Sequence, residues 1–237
     1  MGAQDLIDAK CGAVMYGLEP DRSVILMRRE CLKLSLGAFA ALLTGCVHRS
    51  SLFRQAPLTW EEFVNDLAVR AEDVFARRIN EETYASSLVK CLRRMDPTLV
   101  PPLRELPVRK RFTVSEFVLP SGLGFHHHDH RQYNGVIFVL DGQVRIRSFD
   151  IIGTDRTPPP GKEVLISETR SSTFGVSEFS TLTTTRDNIH DVRATIGGCR
   201  LLDIFTWMGP APQSVFLEVQ DIPVDANRRV HRATFRS

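Results

Sequence analysis

Near Arg111 the hydrophobic period of this chain changes from helical to alternating, and it does not change back. Upstream, Thr59 with Glu62 forms a capping box, followed by an apolar stripe at Phe63, Val64, Leu67, Val74 and Phe75. That predicts an amphipathic helix to about Arg78. Asn80 can cap a second helix with Tyr84, Leu88, Cys91 and Leu92 as its stripe, ended by Met95-Asp96-Pro97. Downstream, Phe112, Val114 and Glu116 alternate with Thr113 and Ser115, and Val136 to Leu140 is a continuous apolar run. Asp141-Gly142 predicts a hairpin turn, since both residues tolerate positive φ. Further short strands are expected at 164–167, 179–184, 189–195 and 201–206, around the loop Thr157-Pro158-Pro159-Pro160-Gly161. Many short strands without interleaved helices make a mostly β sandwich or small barrel, here behind two α-helices.

Inside the β region lies Phe125-His126-His127-His128-Asp129-His130, and much later Asn188-Ile189-His190. The chain has seven histidines, so four within five residues is a marked concentration. His128 and His130 are two apart and point to the same face of a strand. Joined by His190 from a distant strand, they can offer three nitrogens to a divalent metal and leave other positions open for substrate and O2. A solvated polar turn is the plainer reading of the same tract. His127 is offset by one and should face outward, while His126 shares the parity of His128 and could reach the rim. Both are expected to support the site or be solvated, not to ligate.

The 237 residues suffice for one good core. Thirty basic against 28 acidic residues give no strong field, so nucleic acid is not implied as a partner. The five cysteines contain no CxxC pair, which argues against a zinc ribbon. A Cys91–Cys199 disulfide is conceivable on the count alone.

Met27-Arg28-Arg29-Glu30-Cys31-Leu32-Lys33, the apolar run Leu34 to Leu43 and the closing Leu43-Thr44-Gly45-Cys46 follow the order of a secretory signal peptide. Leu-Thr-Gly-Cys looks like a bacterial lipobox, with Cys46 acylated and the protein anchored by lipid at the cell envelope. The paired arginines resemble a twin-arginine export signal. Translation is then expected to start at Met27. A buried amphipathic helix from Leu32 to Leu43 in a cytoplasmic protein is the alternative. The expected organisation is an extension and signal over 1–46, a linker over 47–57, a helical segment over 58–108 and a barrel over 109–237.

The residues from Phe112 to Pro210 resemble the cupin thiol dioxygenases of the plant cysteine oxidase and cysteamine dioxygenase type. The resemblance runs through Gly124-Phe125-His126-His127-His128-Asp129-His130, Leu140-Asp141-Gly142 and Val144-Arg145-Ile146-Arg147-Ser148-Phe149-Asp150. It resumes at Asp187-Asn188-Ile189-His190 and at Cys199-Arg200-Leu201-Leu202-Asp203-Ile204. It implies a cupin-type barrel (a double-stranded β-helix) with Fe(II) on His128, His130 and His190, and Asp203 as an acidic residue near the site. The implied reaction adds O2 to the sulfur of a small aminothiol or a Cys-initiated peptide, giving a sulfinic acid. Two departures stand out. Arg131-Gln132-Tyr133 replaces the family's Pro-Gly, and Trp207 and Met208 follow Asp203 where the family usually has a tyrosine. On the residues alone, Asp203 is equally a buried carboxyl satisfied by backbone N–H groups. A cupin with another oxygenase or isomerase activity, or a cell-envelope binding role, is the alternative function. The oligomeric state has no signal in the sequence.

Overall fold

The structure is a computed structural model that describes residues 56–101, 111–153, 155–210 and 212–236. The expected signal and lipobox, Cys46 included, lie outside the described residues, as do most of the linker and the end of the 58–108 segment.

Helix α1 (Trp60–Phe75) starts at the expected capping box: the Glu62 N–H donates to Thr59 Oγ1 at 3.2 Å and the Thr59 N–H donates to the Glu62 carboxylate at 2.8 Å. It stops short of Arg78 because Arg77 turns into the left-handed region, at φ 58°. Helix α2 (Glu81–Leu92) is capped by Asn80, whose Oδ1 accepts the Thr83 N–H at 2.8 Å. The stripes Phe63, Leu67, Tyr84 and Leu88 pack with Val136, Phe138, Leu202 and Ile204 of the sheet. The Tyr84 hydroxyl also bonds to Thr206. Among the described residues, no helix is long and apolar enough to cross a membrane.

Eight strands follow: β1 (Phe112–Leu119), β2 (Gly124–Asp129), β3 (Tyr133–Ile151), β4 (Glu163–Phe174), β5 (Phe179–Leu182), β6 (Ile189–Trp207), β7 (Leu217–Val219) and β8 (Val230–Phe235). They form one antiparallel sheet in the order β1-β6-β3-β4-β8-β7, with β2 on β6 and β5 on β3. The two central strands, β3 and β6, are 19 residues each and change partners halfway. The first half of β3 pairs with β5 and its second half with β4. The first half of β6 pairs with β2 and its second half with β1. Bending both strands curls the sheet into the expected cupin-type half-barrel. Ile137, Val139, Val144, Ile146, Val192 and Leu201 fill its concave face.

Three expectations are corrected. Asp141-Gly142 is not a hairpin turn. It lies inside β3, opposite Arg200 and Cys199 of β6, with register shifts on both sides. Gly142 sits at φ 71° against Gly198 at φ 79°, and a Cβ on Gly142 would collide with the Gly198 carbonyl oxygen. The Asp-Gly pair permits positive φ, but a bulge that bends a long strand uses positive φ as readily as a turn does. The strands expected separately over 189–195 and 201–206 are therefore halves of one strand. Finally, Cys91 and Cys199 are free, the first packed among the helices and the second in the barrel interior.

Candidate metal centre

His128 is the next-to-last residue of β2 and stands directly opposite His190, the second residue of β6. A register shift between Phe125 and His128 sets that pairing, so simple alternation along the histidine tract does not hold through β2. His130 follows the end of β2. Its backbone is pinned by Asn188: the His130 N–H donates to Asn188 Oδ1 at 3.2 Å, and Asn188 Nδ2 donates to the His130 carbonyl at 2.9 Å. Between the two histidines, Asp129 points away and is fully buried. It accepts from Arg131 Nε at 2.7 Å and from the Val215 N–H at 2.8 Å. The segment carrying both ligand candidates is thus clamped from two sides.

The structure brings His128, His130 and His190 together, with one ring nitrogen of each within 4.8 Å of the others. Nε2 of His190 lies 3.1 Å from Nε2 of His128 and 3.2 Å from Nε2 of His130. Nitrogens roughly 2.1 Å from a shared ion and at right angles to one another stand roughly 3 Å apart, so the spacing fits one divalent metal. His128 Nδ1 contacts the His126 carbonyl at 2.7 Å, which fixes its proton on Nδ1 and leaves Nε2 as the free lone pair.

Electrostatics favours the same state. Burial is the main cause that pushes all three imidazoles below their ordinary proton affinity. For His130 and His190 the shift is large, with repulsion from neighbouring histidines adding to it. For His128 the contact with the His126 carbonyl opposes it. Three neutral imidazoles with converging lone pairs are what a metal ion requires and what protons would otherwise occupy. The donor set fits a metal with open positions: three nitrogens, and no cysteine or acidic residue within the cluster.

Aromatic rings wall the site. The Tyr133 ring lies 4.6 Å from that of His130, Phe205 stacks at 6.1 Å from the same ring, and Phe216 lies 5.7 Å from His128. The Tyr133 hydroxyl bonds to Ser214. In the sequence Tyr133 stands out only as part of the Arg131-Gln132-Tyr133 departure, because no local pattern ties it to a histidine three residues earlier.

Asp203 is buried in β6, opposite Ser115 of β1 and Ile137 of β3. Burial raises its carboxyl well above the ordinary range, and the hydrogen bond from the Ile204 N–H opposes this only in part. None of the ion pairs among the described residues includes it, so no neighbouring cation offsets the cost of burying its charged form. His126 is exposed and contributes only its carbonyl. His127 faces away from the triad, as expected, but is not solvated. It packs on Phe149 and lies 3.1 Å from Arg147, within the Arg147–Asp191 ion pair. Burial there lowers its pKa to about 4.

Among curated proteins, the chain is similar to 2-aminoethanethiol dioxygenase from Mus musculus, at 29% identity over 134 residues. The match covers 48% of this chain, and the chain spans about half (52%) of that relative's length. Among solved structures, a cupin superfamily protein from Desulfitobacterium hafniense matches at 13% identity and a TM-score of 0.32, covering 48% of this chain and 87% of the other. Recombinant pro-11S globulin of pumpkin matches at 12% identity and a TM-score of 0.34, covering 45% and 23%. Neither overlap is close enough to bear on the site. The family model PCO_ADO matches residues 65–210, more than half of the chain and the whole histidine triad, and the chain belongs to that family.

Proposed function

We propose that this protein is a non-haem Fe(II) thiol dioxygenase that converts an aminothiol, or the N-terminal cysteine of a peptide, to the sulfinic acid with O2. The observation that carries this reading is the convergence of His128, His130 and His190 at 3.1–3.2 Å inside a barrel of the PCO_ADO family. Fe(II) held there would supply O2 activation and a coordination position for the substrate thiolate.

The chain's own residues have separable tasks. His126 holds the proton of His128 on Nδ1, and Asn188 holds the His130 backbone, so the donor atoms are set before a metal arrives. Tyr133, Phe205 and Phe216 limit water around the imidazoles and make the site suited to an apolar thiol stem. Asp203, a carboxyl left without a cation, is matched to a substrate ammonium: bringing that charge beside it favours the carboxylate that burial alone disfavours.

The test is metal analysis of anaerobically purified full-length protein, followed by O2 consumption and mass spectrometry of products against a panel of thiols. Stoichiometric iron and a gain of two oxygens on sulfur are expected. An iron-loaded protein that consumes no O2 with any aminothiol would sink the reading. We propose separately that Cys46 is lipidated after export to the cell envelope, motivated by Arg28-Arg29 and Leu43-Thr44-Gly45-Cys46. Mass spectrometry of the membrane fraction should find a diacylglyceryl-modified Cys46; an intact Leu34–Leu43 segment on soluble protein rejects it.

A further inference from the structure

We infer that the cavity beside His130 receives the stretch of chain that follows the reactive cysteine of a peptide substrate, and that this stretch carries acidic side chains. The inference rests on the thiol dioxygenase reading and narrows its substrate class.

The cavity lies where the turn between α1 and α2 meets the rim of the barrel, and it measures about 630 Å³. That is within the roughly 300–1,000 Å³ of small-ligand sites and far more than cysteamine would fill. His130 and Asn188, the residue that holds the His130 backbone, form part of its wall. The triad and the cavity therefore adjoin through His130. A chain with its first sulfur at the triad reaches the cavity within a few residues, at ~3.3–3.6 Å each.

The wall is basic. It contains Arg77, Arg131 and Arg156 against a single acid, Glu81. Glu81 is already engaged, accepting from the Thr184 N–H at 2.7 Å and from its hydroxyl at 2.5 Å. Arg131 is committed to Asp129 at 2.7 Å and to the Pro158 carbonyl at 2.8 Å. The other two cations are not balanced. Arg156 donates to the Ile151 carbonyl at 3.0 Å and has no ion pair among the described residues. The Arg77 side chain has neither a hydrogen bond nor an ion pair among the described residues. Both arginines are exposed, so an arriving carboxylate can reach them. A guanidinium fork without a protein partner matches the two oxygens of a carboxylate.

The backbone points the same way. Among the described residues, five non-glycine residues lie in the left-handed region, and two of them, Arg77 at φ 58° and Gln132 at φ 61°, belong to this wall. Glycine would adopt either conformation at less cost. A larger side chain held there, on a cavity that borders the triad, is the pattern of a residue kept for what it touches.

The test is anaerobic calorimetric titration of full-length Fe(II)-loaded protein with cysteamine and with the amidated peptides Cys-Glu-Glu-Gly, Cys-Gln-Gln-Gly and Cys-Lys-Lys-Gly. Amidation removes the terminal carboxylate, so the peptides differ only in the side chains of their second and third residues. Wild-type protein should bind the glutamate peptide about tenfold more tightly than the glutamine peptide, and the lysine peptide more weakly than either. Added salt should narrow the gap, because the cations are open to solvent. The double variant Arg77→Asn with Arg156→Gln should bind the glutamate and glutamine peptides alike and keep stoichiometric iron by elemental analysis; asparagine tolerates the left-handed turn. Should that variant lose its iron, the charge order of the three peptides on wild-type protein decides. Equal binding of the three peptides by wild-type protein, or an undiminished preference in the iron-replete variant, overturns the acidic specificity and leaves the thiol reading standing. Failure of wild-type protein to bind cysteamine or any of the peptides overturns both.

Discussion

The two halves of the β3–β6 ribbon are built alike in backbone and unlike in chemistry. In one half, Val136, Phe138, Leu202 and Ile204 turn outward to the helices, while Ile137 and Leu201 turn inward. Both faces are mainly apolar: Asp203 is a buried acid on the inner face, and Asn134 and Thr206 pair near the end of the ribbon. In the other half the concave face carries His190, Ser148 and, across the strand, Arg170. The convex face there carries the Arg147–Asp191 pair with His127. The first half is held by burial and can be altered only at the expense of stability. The second is held by hydrogen bonds and clamps, and can be altered at the expense of function. The histidine triad sits where the sheet is least apolar, at the end of β2 and the start of β6, beside a better-packed region that fixes the strands.

Four experiments would break or sharpen that contrast. The largest effect is expected at the triad: His128→Ala, His130→Ala or His190→Ala should each abolish stoichiometric metal binding, measured by elemental analysis, while His126→Ala and His127→Ala retain most of it. Full occupancy in His190→Ala would refute the assignment. In the helix-facing half, Phe138→Ala should cost about 3–5 kcal/mol, because a fully buried ring is removed from a closed core. Denaturant unfolding should register this loss, with metal content per folded molecule unchanged.

Asp203→Asn tests the buried acid of the apolar half. Turnover of the preferred aminothiol should fall by about 10- to 100-fold with iron retained, the size of one charge-assisted hydrogen bond. A melting temperature lowered by many degrees would instead assign Asp203 to the fold. The smallest effect concerns pH. His127 is neutral in the folded state down to about pH 4 but titrates near 6.5 when unfolded. Unfolded chains therefore bind the extra proton first, and stability falls as pH drops from about 6.5 toward 4. The buried triad adds to the same loss in metal-free protein. Asp203 has the opposite sign: its raised value stabilises the fold at low pH, a contribution lost as pH rises above its ordinary value of 3.8. His127→Asn should reduce the acid slope of thermal stability in metal-free protein, and an unchanged slope would remove His127 from this account.

Local order was readable where a short-range rule decides it. The capping pair Thr59–Glu62 and the cap Asn80 start helices because their side chains satisfy N–H groups within one turn. The histidine pair and His190 were readable as a candidate metal site because imidazoles are few and their chemistry is narrow. The role of Asn188 was half legible: its place next to His190 was visible, but its two bonds to the His130 backbone span 58 residues of chain.

What the sequence alone determined, then, was the change of period at Arg111, the two helices, the mostly β barrel and the three histidines that belong together. Each rests on local periodicity or on distinctive side-chain chemistry. Only the tertiary structure decided that Asp141-Gly142 bends a strand instead of ending it, because positive φ serves both and the choice depends on Gly198 across the ladder. It alone placed Tyr133 and Phe205 against His130 and buried His127 beside Asp191. Arg170 is the clearest case. The one arginine of β4, it has no sequence signal that links it to a histidine twenty residues later, and a bulge in the β3–β4 ladder is what sets it on the face of His190.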